Sequence, residues 1–405
     1  MKTLLSVLTI TLSIVPAVAA GDVVTEWNEI TLATAAAARI SGTGASRITA
    51  TVHAAVFDAA NSVEGRYASY KIKVAAAPGA SAEAAAVAAA YTVLTRLIPD
   101  QKPGLDAAYA RSLGRIAGGA GKDQGLAIGQ KVATELVALR ANDGASAPNV
   151  YRPITVPSVY TMTTLPIATH WGGVTPWVLQ RGSQFRPGPP PALTSAEWAR
   201  DVNEVKDLGG RTSQLRTAEQ TDIARFWVVV GPASWDPVVR QLAAAPGRSL
   251  LENARLFALA EMAAADAYIA VFDAKYAFNL WRPITAIRNG DAHGNAAVTR
   301  IPDWEPLVDT PLHPEYPCAH CITSAAIAAV LEAEFGAGPA REITMTSPTA
   351  PGVVRRWTTF NAYTDEVSEA RIYGGIHYRT SATVGQAMGR LIGAFAAQQY
   401  LKPAR

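Results

Sequence analysis

Alanine-rich apolar segments recur along the chain, and they constrain its fold more than any other feature. Residues 82–97 and 250–281 are two of them, and the second is the longest helical pattern in the sequence. Only 17% of all residues are charged, which is typical of helices with two or more buried faces. Strand-like alternation of apolar and polar residues is almost absent. The sequence therefore predicts an all-α protein made of two packed helical bundles.

The organisation of the 405-residue chain follows from shifts in composition. Residues 1–20 carry a lone lysine, an apolar run and small residues in an A-x-A pattern, which predicts a cleaved signal peptide and export to the periplasm or the medium. We expect residues 21–240 to form an N-terminal helical half and residues 241–405 a C-terminal half. Residues 145–191 combine Pro, Gly, Thr and aromatic residues without a sustained period, which predicts a long irregular excursion.

The charge balance excludes one class of partner. The formal net charge is only +3, and so the chain lacks the basic field that nucleic-acid binding requires. A site for an anion must therefore arise from local clustering of cations. No later segment predicts a stable membrane span, and a homo-oligomer is compatible with the sequence.

Three short segments in the last third of the chain hold nearly all the residues that can grip a tetrahedral oxyanion. They are residues 275–283 (KYAFNLWRP), 317–320 (PCAH) and 371–377 (RIYGGIH). Apolar stretches that are expected to be helical separate them, and so they meet only if these helices form a bundle. The candidate residues are Lys275, Arg282, His320, Arg371 and His377.

The first segment places two cations among aromatic residues. Lys275 and Arg282 are seven residues apart, which is two helical turns, so both are expected on one face near the end of a helix. Pro283 then turns the chain. A solvated basic stripe is the alternative, but Tyr276 and Trp281 would be unusual on an exposed face, and we favour a functional pair.

The second segment precedes a helix that is expected to start near Ile322. Helix N-termini present unpaired amides and a positive dipole, and the small residues Cys318 and Ala319 let an anion come close. His320 can act as a general acid or base towards such an anion. A capping histidine without a ligand explains this segment alone equally well.

The third segment carries Arg371 and His377 at a spacing of six, which a straight helix places on different faces. Gly374 and Gly375 lie between them and permit a break that brings both side chains to one point. A lone histidine in apolar surroundings is more often structural, but the neighbouring arginine and the two glycines favour a functional one.

In order and spacing, the three segments resemble the pattern K-x6-R-P, P-S-G-H and S-R-x5-H-x3-D. This is the pattern of the vanadium-dependent haloperoxidases and of the acid phosphatases in the type 2 phosphatidic acid phosphatase superfamily. Further similarity, to the bacterial haloperoxidase-like branch, lies in residues 26–40, 52–63, 170–179, 183–194 and 313–317. The resemblance covers nearly the whole chain after residue 20 and implies the all-α fold of that superfamily.

The resemblance also implies a role for each candidate. Lys275, Arg282 and Arg371 would surround the equatorial oxygens of vanadate, or of phosphate in the same site. His377 would be the apical vanadium ligand in a haloperoxidase, or the nucleophile that forms a phosphohistidine in a phosphatase. His320 would be the general acid or base in both reactions.

Three positions depart from the family pattern. Cys318 replaces the serine that donates a hydrogen bond to the oxyanion, and Ala319 replaces the glycine beside it; both would still line the cofactor. Ser381 stands where the pattern has an aspartate that would orient the nucleophilic histidine. This loss weakens phosphatase chemistry more than vanadate ligation, unless another carboxylate substitutes.

Cys318 and Cys321 are the only cysteines of the chain. A thiolate at Cys318 would repel an oxyanion and would be oxidised by peroxide. Residues three apart in a first helical turn have Cα atoms about 5 Å apart, which a disulfide tolerates. We expect either this disulfide or a site without efficient peroxidase activity, with two buried free thiols as the alternative. A zinc site of His313, Cys318, His320 and Cys321 has suitable residue types but cramped spacing.

The sequence therefore predicts an exported, vanadate-dependent haloperoxidase that oxidises halide with hydrogen peroxide. Hydrolysis of a small phosphate ester at the same residues is one alternative, and a non-catalytic oxyanion-binding protein is another. His313 occupies a position at which algal bromoperoxidases have a histidine, and the resemblance makes it a further candidate for tuning proton transfer. Structural roles are assigned to other polar residues of the family-like segments, namely His53, Asp58, Asp266 and Asp273.

Overall fold

Helices make up most of the chain. The structure is a computed structural model that describes residues 22–40, 42–162, 164–339 and 342–404, and the predicted signal peptide lies outside these residues. The described helices are α1 (Val23–Ala37), α2 (Gly42–Glu64), α3 (Ala82–Leu97), α4 (Lys102–Gly114), α5 (Ala120–Leu139), α6 (Ala196–Gly209), α7 (Ala218–Phe226), α8 (Asp236–Ala243), α9 (Leu250–Phe278), α10 (Pro283–Arg288), α11 (Ala319–Phe335), α12 (Phe360–Tyr373) and α13 (Arg379–Gln399). Strands β1 (Ile343–Ser347) and β2 (Ala350–Trp357) pair as an antiparallel hairpin. The predicted all-α class is confirmed, with this hairpin as a small addition.

The longest helix, α9, is buried along almost its whole length. Ser249 caps its first turn in a capping box with Glu252, and nearly every residue between Leu251 and Lys275 is buried. Helices α2, α11 and α13 pack against it. Neither α9 nor any other helix in the described ranges is long and apolar enough to cross a membrane. The alanine-rich sequence of α9 thus corresponds to a helix that other helices surround.

The remaining large helices form two groups, and both groups contact α9. Helices α2, α3 and α5 pack together in the first group, and α11, α12 and α13 in the second. A single apolar core reaches both groups, from Val24 in α1 to Ile392 in α13. Because α9 belongs to both groups, the division into halves at residue 240 stays a prediction.

Two T-x-x-E/Q patterns in the sequence predict capping boxes, one from Thr194 and Glu197 and one from Thr217 and Gln220. Thr217 and Gln220 form the predicted box at the start of α7. The box predicted from Thr194 and Glu197 is wrong, because Ser195 is the N-cap of α6 and accepts a hydrogen bond from the amide of Trp198. The N-cap is therefore one residue later than the sequence pattern suggested.

Buried carboxylates hold the irregular segments in place. Asp266 of α9 accepts three amides of the excursion, from Trp177, Val178 and Leu179, at 2.7–2.8 Å. Burial raises the pKa of Asp266 to about 6, although these three bonds oppose the shift. Asp273, seven residues further along α9, forms an ion pair with Arg186. The excursion at residues 145–191 is irregular, as predicted, and it is anchored to α9 by these contacts.

Close backbone packing joins α11 to α13. Gly385, Gly389 and Gly393 recur every four residues on one face of α13. A Cβ at any of them would collide with a carbonyl oxygen of the α11 segment, from Cys318, Ile322 and Ala326 in turn. Only glycine allows two helix backbones to approach so closely. The relative position of these two helices is therefore fixed by main-chain contact.

Candidate oxyanion site

A cavity of about 340 Å³ lies beside the first turn of α11 and the last turn of α12. The histidine and arginine residues that line this cavity are His313, His320, Arg371 and His377. Arg282 lies behind this lining, where it contacts His377 and His313. The second and third segments singled out in the sequence therefore line one cavity, and Arg282 of the first segment contacts its histidines from behind.

A break in the helix brings Arg371 and His377 to the same cavity. Helix α12 ends at Tyr373, and Gly375 follows with a left-handed φ of 79°. A Cβ on Gly375 would also collide with the backbone carbonyl of Gly209, at the end of α6. Glycine is thus required here both for conformation and for space. The break that the sequence suggested is present at this pair of glycines.

Hydrogen bonds on both sides of the His377 ring define its tautomer. Nδ1 lies 2.7 Å from Glu315 Oε1, and Nε2 lies 3.1 Å from Arg282 Nη1. Because a guanidinium only donates, Nε2 is the acceptor and Nδ1 carries the proton. Burial, reinforced by nearby cations, lowers the pKa of His377 well below its usual range. His377 is therefore a neutral imidazole with a lone pair on Nε2.

Glu315 is the residue of this site that the sequence reasoning missed. Its side chain is fully buried and accepts bonds from His377 Nδ1 and from the amide of Tyr378 at 3.0 Å. Ser381, where the family pattern has aspartate, is 3.5 Å from the same ring nitrogen. Burial raises the pKa of Glu315 to about 7, and the cations Lys275 and Arg282 oppose this shift. A glutamate from another segment thus occupies the place of the missing aspartate.

Arg282 is held on several sides. It donates to the carbonyl oxygens of His313 at 2.9 Å and Ile376 at 2.8 Å, and to His313 Nδ1 at 2.9 Å. Burial lowers the pKa of Arg282 to about 10, which leaves it charged at neutral pH. The expectation that Lys275 and Arg282 share a helical face is wrong, because α9 ends at Phe278. Asn279 follows in the left-handed conformation, and Arg282 is the N-cap of α10.

Lys275 is buried and organises the loop before α11. Its Nζ donates to the carbonyl oxygens of Pro314 at 2.9 Å, Glu315 at 2.7 Å and Pro317. Burial and the neighbouring Arg282 lower the pKa of Lys275. However, three acceptors around one nitrogen require the three N–H groups of the ammonium form. Lys275 is therefore a cation whose hydrogen bonds are directed at the loop that carries Glu315.

Arg371 is the cation of the site with a donor to spare. Its Nη1 donates to the carbonyl oxygen of Trp227 at 2.6 Å, while Nε is buried without a partner. Burial, followed by repulsion from Arg282, lowers the pKa of Arg371 to about 9. An unpartnered buried donor on a charged group is costly. An anion in the cavity would remove that cost.

The first turn of α11 closes the site. The helix starts at Ala319, earlier than the expected start near Ile322, with Cys318 as N-cap. The amides of Ala319 and His320 therefore have no acceptor within the helix. His320 Nε2 lies 2.9 Å from the carbonyl oxygen of Val229, and so Nε2 carries the proton and Nδ1 is free to accept one. Burial, followed by Arg371, lowers the pKa of His320 and keeps it neutral.

A disulfide joins Cys318 to Cys321, and both residues are fully buried. Cys318 Sγ accepts the amide of Cys321 at 3.2 Å, and so the sulfur is an acceptor and not an oxyanion donor. The bond removes both thiols from the zinc set considered above. No group of three or more His, Cys, Asp or Glu residues is arranged for a metal ion in the ranges that the structure describes. The zinc interpretation is therefore wrong.

Sequence comparison relates the C-terminal part of the chain to a known family. Residues 255–404 match the family model of the VCPO second helical-bundle domain. This range contains all the charged and histidine side chains of the site, namely Lys275, Arg282, His313, Glu315, His320, Arg371 and His377. The C-terminal helices thus resemble the second helical bundle of that family.

Solved structures are similar over almost the whole chain. A bacterial vanadium-dependent iodoperoxidase is 26% identical with a TM-score of 0.80, and the match covers 94% of this chain and 98% of that one. The holo and apo forms of a bacterial vanadium-dependent chloroperoxidase share the fold, at 18% identity, with TM-scores of 0.70 and 0.72. Each match covers 88% of this chain, together with 91% of the holo chain and 92% of the apo chain. No curated protein sequence matches the chain. The chain is therefore similar to vanadium-dependent haloperoxidases over almost its whole length, and residues 255–404 match a domain of that family.

Proposed function

We propose that this protein oxidises halide ions with hydrogen peroxide by means of vanadate bound in the cavity. The observation that carries the proposal is the neutral imidazole of His377 at the cavity, with Nδ1 fixed by Glu315 and with an unprotonated Nε2 that accepts a hydrogen bond from Arg282. Such an unprotonated nitrogen would hold vanadate in place of its contact with Arg282. The similarity to vanadium-dependent haloperoxidases supports the same conclusion.

Two kinds of donor line the cavity, and two further cations lie behind it. Arg371 Nε is a buried donor without a partner. The amides of Ala319 and His320 begin a helix, where the dipole favours negative charge. Arg282 adds positive charge directly behind His377. Lys275 contributes charge, and it positions the Glu315 loop through its three carbonyl bonds.

The reaction needs a base more than an acid at its start. Bound vanadate would supply a Lewis-acidic centre that polarises hydrogen peroxide without changing its own oxidation state. The free Nδ1 of neutral His320 can take a proton from peroxide, and the protonated ring can return it later. The overall reaction is X⁻ + H₂O₂ + H⁺ → HOX + H₂O, in which halide loses two electrons and the O–O bond of peroxide is reduced.

Hydrolysis of a phosphate ester is the second candidate, and Glu315 is the observation that favours it. In this reaction His377 Nε2 forms a bond to phosphorus while the ester P–O bond breaks and the leaving oxygen takes a proton. Glu315 can stabilise the resulting cationic imidazole, as the family aspartate would. His320 would have to supply the proton, yet its lowered pKa keeps it neutral. We therefore rank halide oxidation first.

Vanadate-dependent oxidation of bromide or iodide is the expected result for the purified protein. Activity should appear only after vanadate is added, and it should disappear in His377→Ala but not in the control His170→Ala, which lies outside the cavity. Hydrolysis of p-nitrophenyl phosphate, measured on the same preparation, would support the second candidate if halide oxidation is absent. Vanadate binding without either reaction would identify a non-catalytic oxyanion-binding protein.

We also propose that the chain is exported and that residues 1–20 are removed. The buried Cys318–Cys321 disulfide supports export, because disulfides persist in oxidising compartments. Protein unfolded without reductant should contain no free thiol, and reduction should release two. Sequencing of the exported protein should give an N-terminus near residue 21. Free thiols would contradict the disulfide, and an intact Met1 would contradict cleavage.

A further inference from the structure

Two side chains of the oxyanion site are held by the main chain of residues 227–231, the segment that follows α7. The carbonyl oxygen of Trp227 accepts a hydrogen bond from Arg371 Nη1 at 2.6 Å, and the carbonyl oxygen of Val229 accepts one from His320 Nε2 at 2.9 Å. Arg371 lies on α12 and His320 on α11, so one short segment bonds to both helices. A displacement of this segment would therefore move a cation and the acid–base group of the site together.

The bond to Val229 also determines which nitrogen of His320 carries the proton. A carbonyl oxygen only accepts, so it requires a proton on Nε2 and leaves Nδ1 as the acceptor. In the other tautomer, the lone pair of Nε2 would face the carbonyl oxygen and Nδ1 would already carry a proton. The position of one main-chain carbonyl thus determines whether His320 can start as a base.

Trp227 is attached to α12 at two points. Its indole Nε1 donates to Glu366 Oε1 at 3.0 Å, and its carbonyl oxygen accepts the bond from Arg371, five residues further along the same helix. The side chain is fully buried, and its ring packs edge-on against those of Phe226 and Tyr363, with centroids 5.1 and 5.5 Å away. Bonds at both ends of one residue fix the direction of its carbonyl group.

The β-hairpin holds this arrangement in place. Arg355 of β2 donates to both carboxylate oxygens of Glu366, at 3.1 Å to Oε1 and 2.7 Å to Oε2. At the turn of the hairpin, Ser347 and Thr349 donate to the carbonyl oxygen of Phe226, at 2.7 and 3.1 Å. Phe226 is the last residue of α7. The hairpin therefore fixes the end of α7 directly and the next residue of the chain through Glu366.

We propose that Glu366 is a positioning residue of the oxyanion site, which acts on His320 and Arg371 through Trp227 and is itself held by the β-hairpin. This inference rests on the proposed function, in which His320 moves protons and Arg371 binds the oxyanion. Glu366 lies outside the described lining of the cavity. Without its carboxylate, the buried indole N–H of Trp227 has no acceptor, which is costly, and the segment should shift to find one.

Two substitutions of Glu366 separate the hydrogen bond from the rest of the side chain. Glu366→Met removes the acceptor, whereas Glu366→Gln keeps an oxygen for the indole. Calorimetry should show about tenfold weaker vanadate binding to Glu366→Met, and kcat should fall about tenfold, as for other residues that orient a site from behind. Glu366→Gln should stay within about twofold of the wild type in both quantities.

Glu334 near the end of α11 provides the matched control. Its side chain is 19% exposed, against 12% for Glu366, and it likewise binds arginines, Arg248 and Arg255. Glu334→Met should therefore lower the free energy of unfolding by an amount similar to Glu366→Met, and it should leave vanadate binding unchanged. A purely structural role for Glu366 predicts the same result for both methionine variants.

A second readout needs neither vanadate nor turnover. Nitrogen-15 NMR of the six histidine rings, with His320→Gln to assign one signal pair, reports the tautomer of His320. The wild type and Glu334→Met should give the form protonated on Nε2, and Glu366→Met a mixture of both tautomers. Because no reaction is required, this measurement distinguishes failure of the inference from failure of the proposed function.

The inference is overturned if Glu366→Met matches Glu334→Met in both vanadate affinity and the tautomer of His320. Equal losses in Glu366→Met and Glu366→Gln would also overturn it, because they would exclude the route through the indole bond. A changed tautomer in Glu366→Met alone supports it even if the protein oxidises no halide. If Glu366→Met does not fold, Trp227→Phe removes the donor instead of the acceptor, and the same two changes are expected.

Discussion

Replacing Glu315 with glutamine should lower kcat for halide oxidation about 100-fold while the protein remains folded. Glutamine keeps the size of the side chain but removes the charge that faces His377 Nδ1 at 2.7 Å. The imidazole then keeps only a neutral amide opposite Nδ1, so the hydrogen bond that fixes its tautomer and orientation becomes weaker. Steady-state kinetics with saturating vanadate measure the change, and circular dichroism verifies the fold.

The same substitution should remove a pH dependence. Since the pKa of Glu315 is raised to about 7 from 4.5, the orienting carboxylate forms only as pH rises through about 7, and the rate should rise with it. The free energy of unfolding should change with pH in the opposite direction to the rate. The folded state binds more protons than the unfolded state between pH 4.5 and 7, so the free energy of unfolding falls as pH rises across that window. Both dependences should be absent in Glu315→Gln.

A second carboxylate offers a rescue of this variant. Ser381 Oγ lies 3.5 Å from His377 Nδ1, and so Ser381→Asp added to Glu315→Gln should recover part of the rate. Glu342→Gln, at an exposed glutamate, is the matched control and should behave as wild type. A wild-type rate and an unchanged pH profile in Glu315→Gln would show that this carboxylate does not orient His377.

Replacing Lys275 with methionine should reduce the free energy of unfolding by about 3–5 kcal/mol. The ammonium satisfies three buried carbonyl oxygens, and methionine would leave all three without a donor. The loop that carries Glu315 would also lose its attachment to α9, so activity should fall even where the variant is folded. Urea denaturation of the protein without vanadate measures the free energy of unfolding.

A surface lysine provides the control for this experiment. Lys131→Met removes an exposed partner of Glu135 and should change the free energy of unfolding by no more than about 0.5 kcal/mol. If Lys275 acted only on a bound oxyanion, Lys275→Met would keep wild-type stability without vanadate and lose vanadate affinity alone. That outcome would contradict the role assigned to its three carbonyl bonds.

Local signals in the sequence predicted the helices and the three segments of the site. Helix α3 begins and ends at the predicted residues because Ser81 caps it and Pro99 follows it. The glycine pair before His377 predicted a break because glycine adopts the left-handed conformation that Gly375 has. These features depend only on residues that are neighbours in the sequence, and so one sequence is enough to predict them.

Features that depend on distant contacts were not predicted. Glu315 is 62 residues from His377, and a glutamate between prolines gives no local sign that a histidine will cover it. The end of α9 was missed because apolar residues continue to Trp281, while the left-handed Asn279 stops the helix two residues earlier. The carbonyl partners of Lys275 were also missed because they are distant in the sequence. The loop that carries them lies about 40 residues after Lys275 and folds back onto α9.

The glycine contact between α11 and α13 has a consequence for how this kind of protein can change. His320 stands on one of these helices, and His377 immediately precedes the other. Their separation is set by main chains in contact, which cannot adjust by the small steps that side-chain repacking allows. Natural variants with altered substrate choice should therefore keep this spacing and differ in the loops that line the cavity, where Val230 and Leu312 lie.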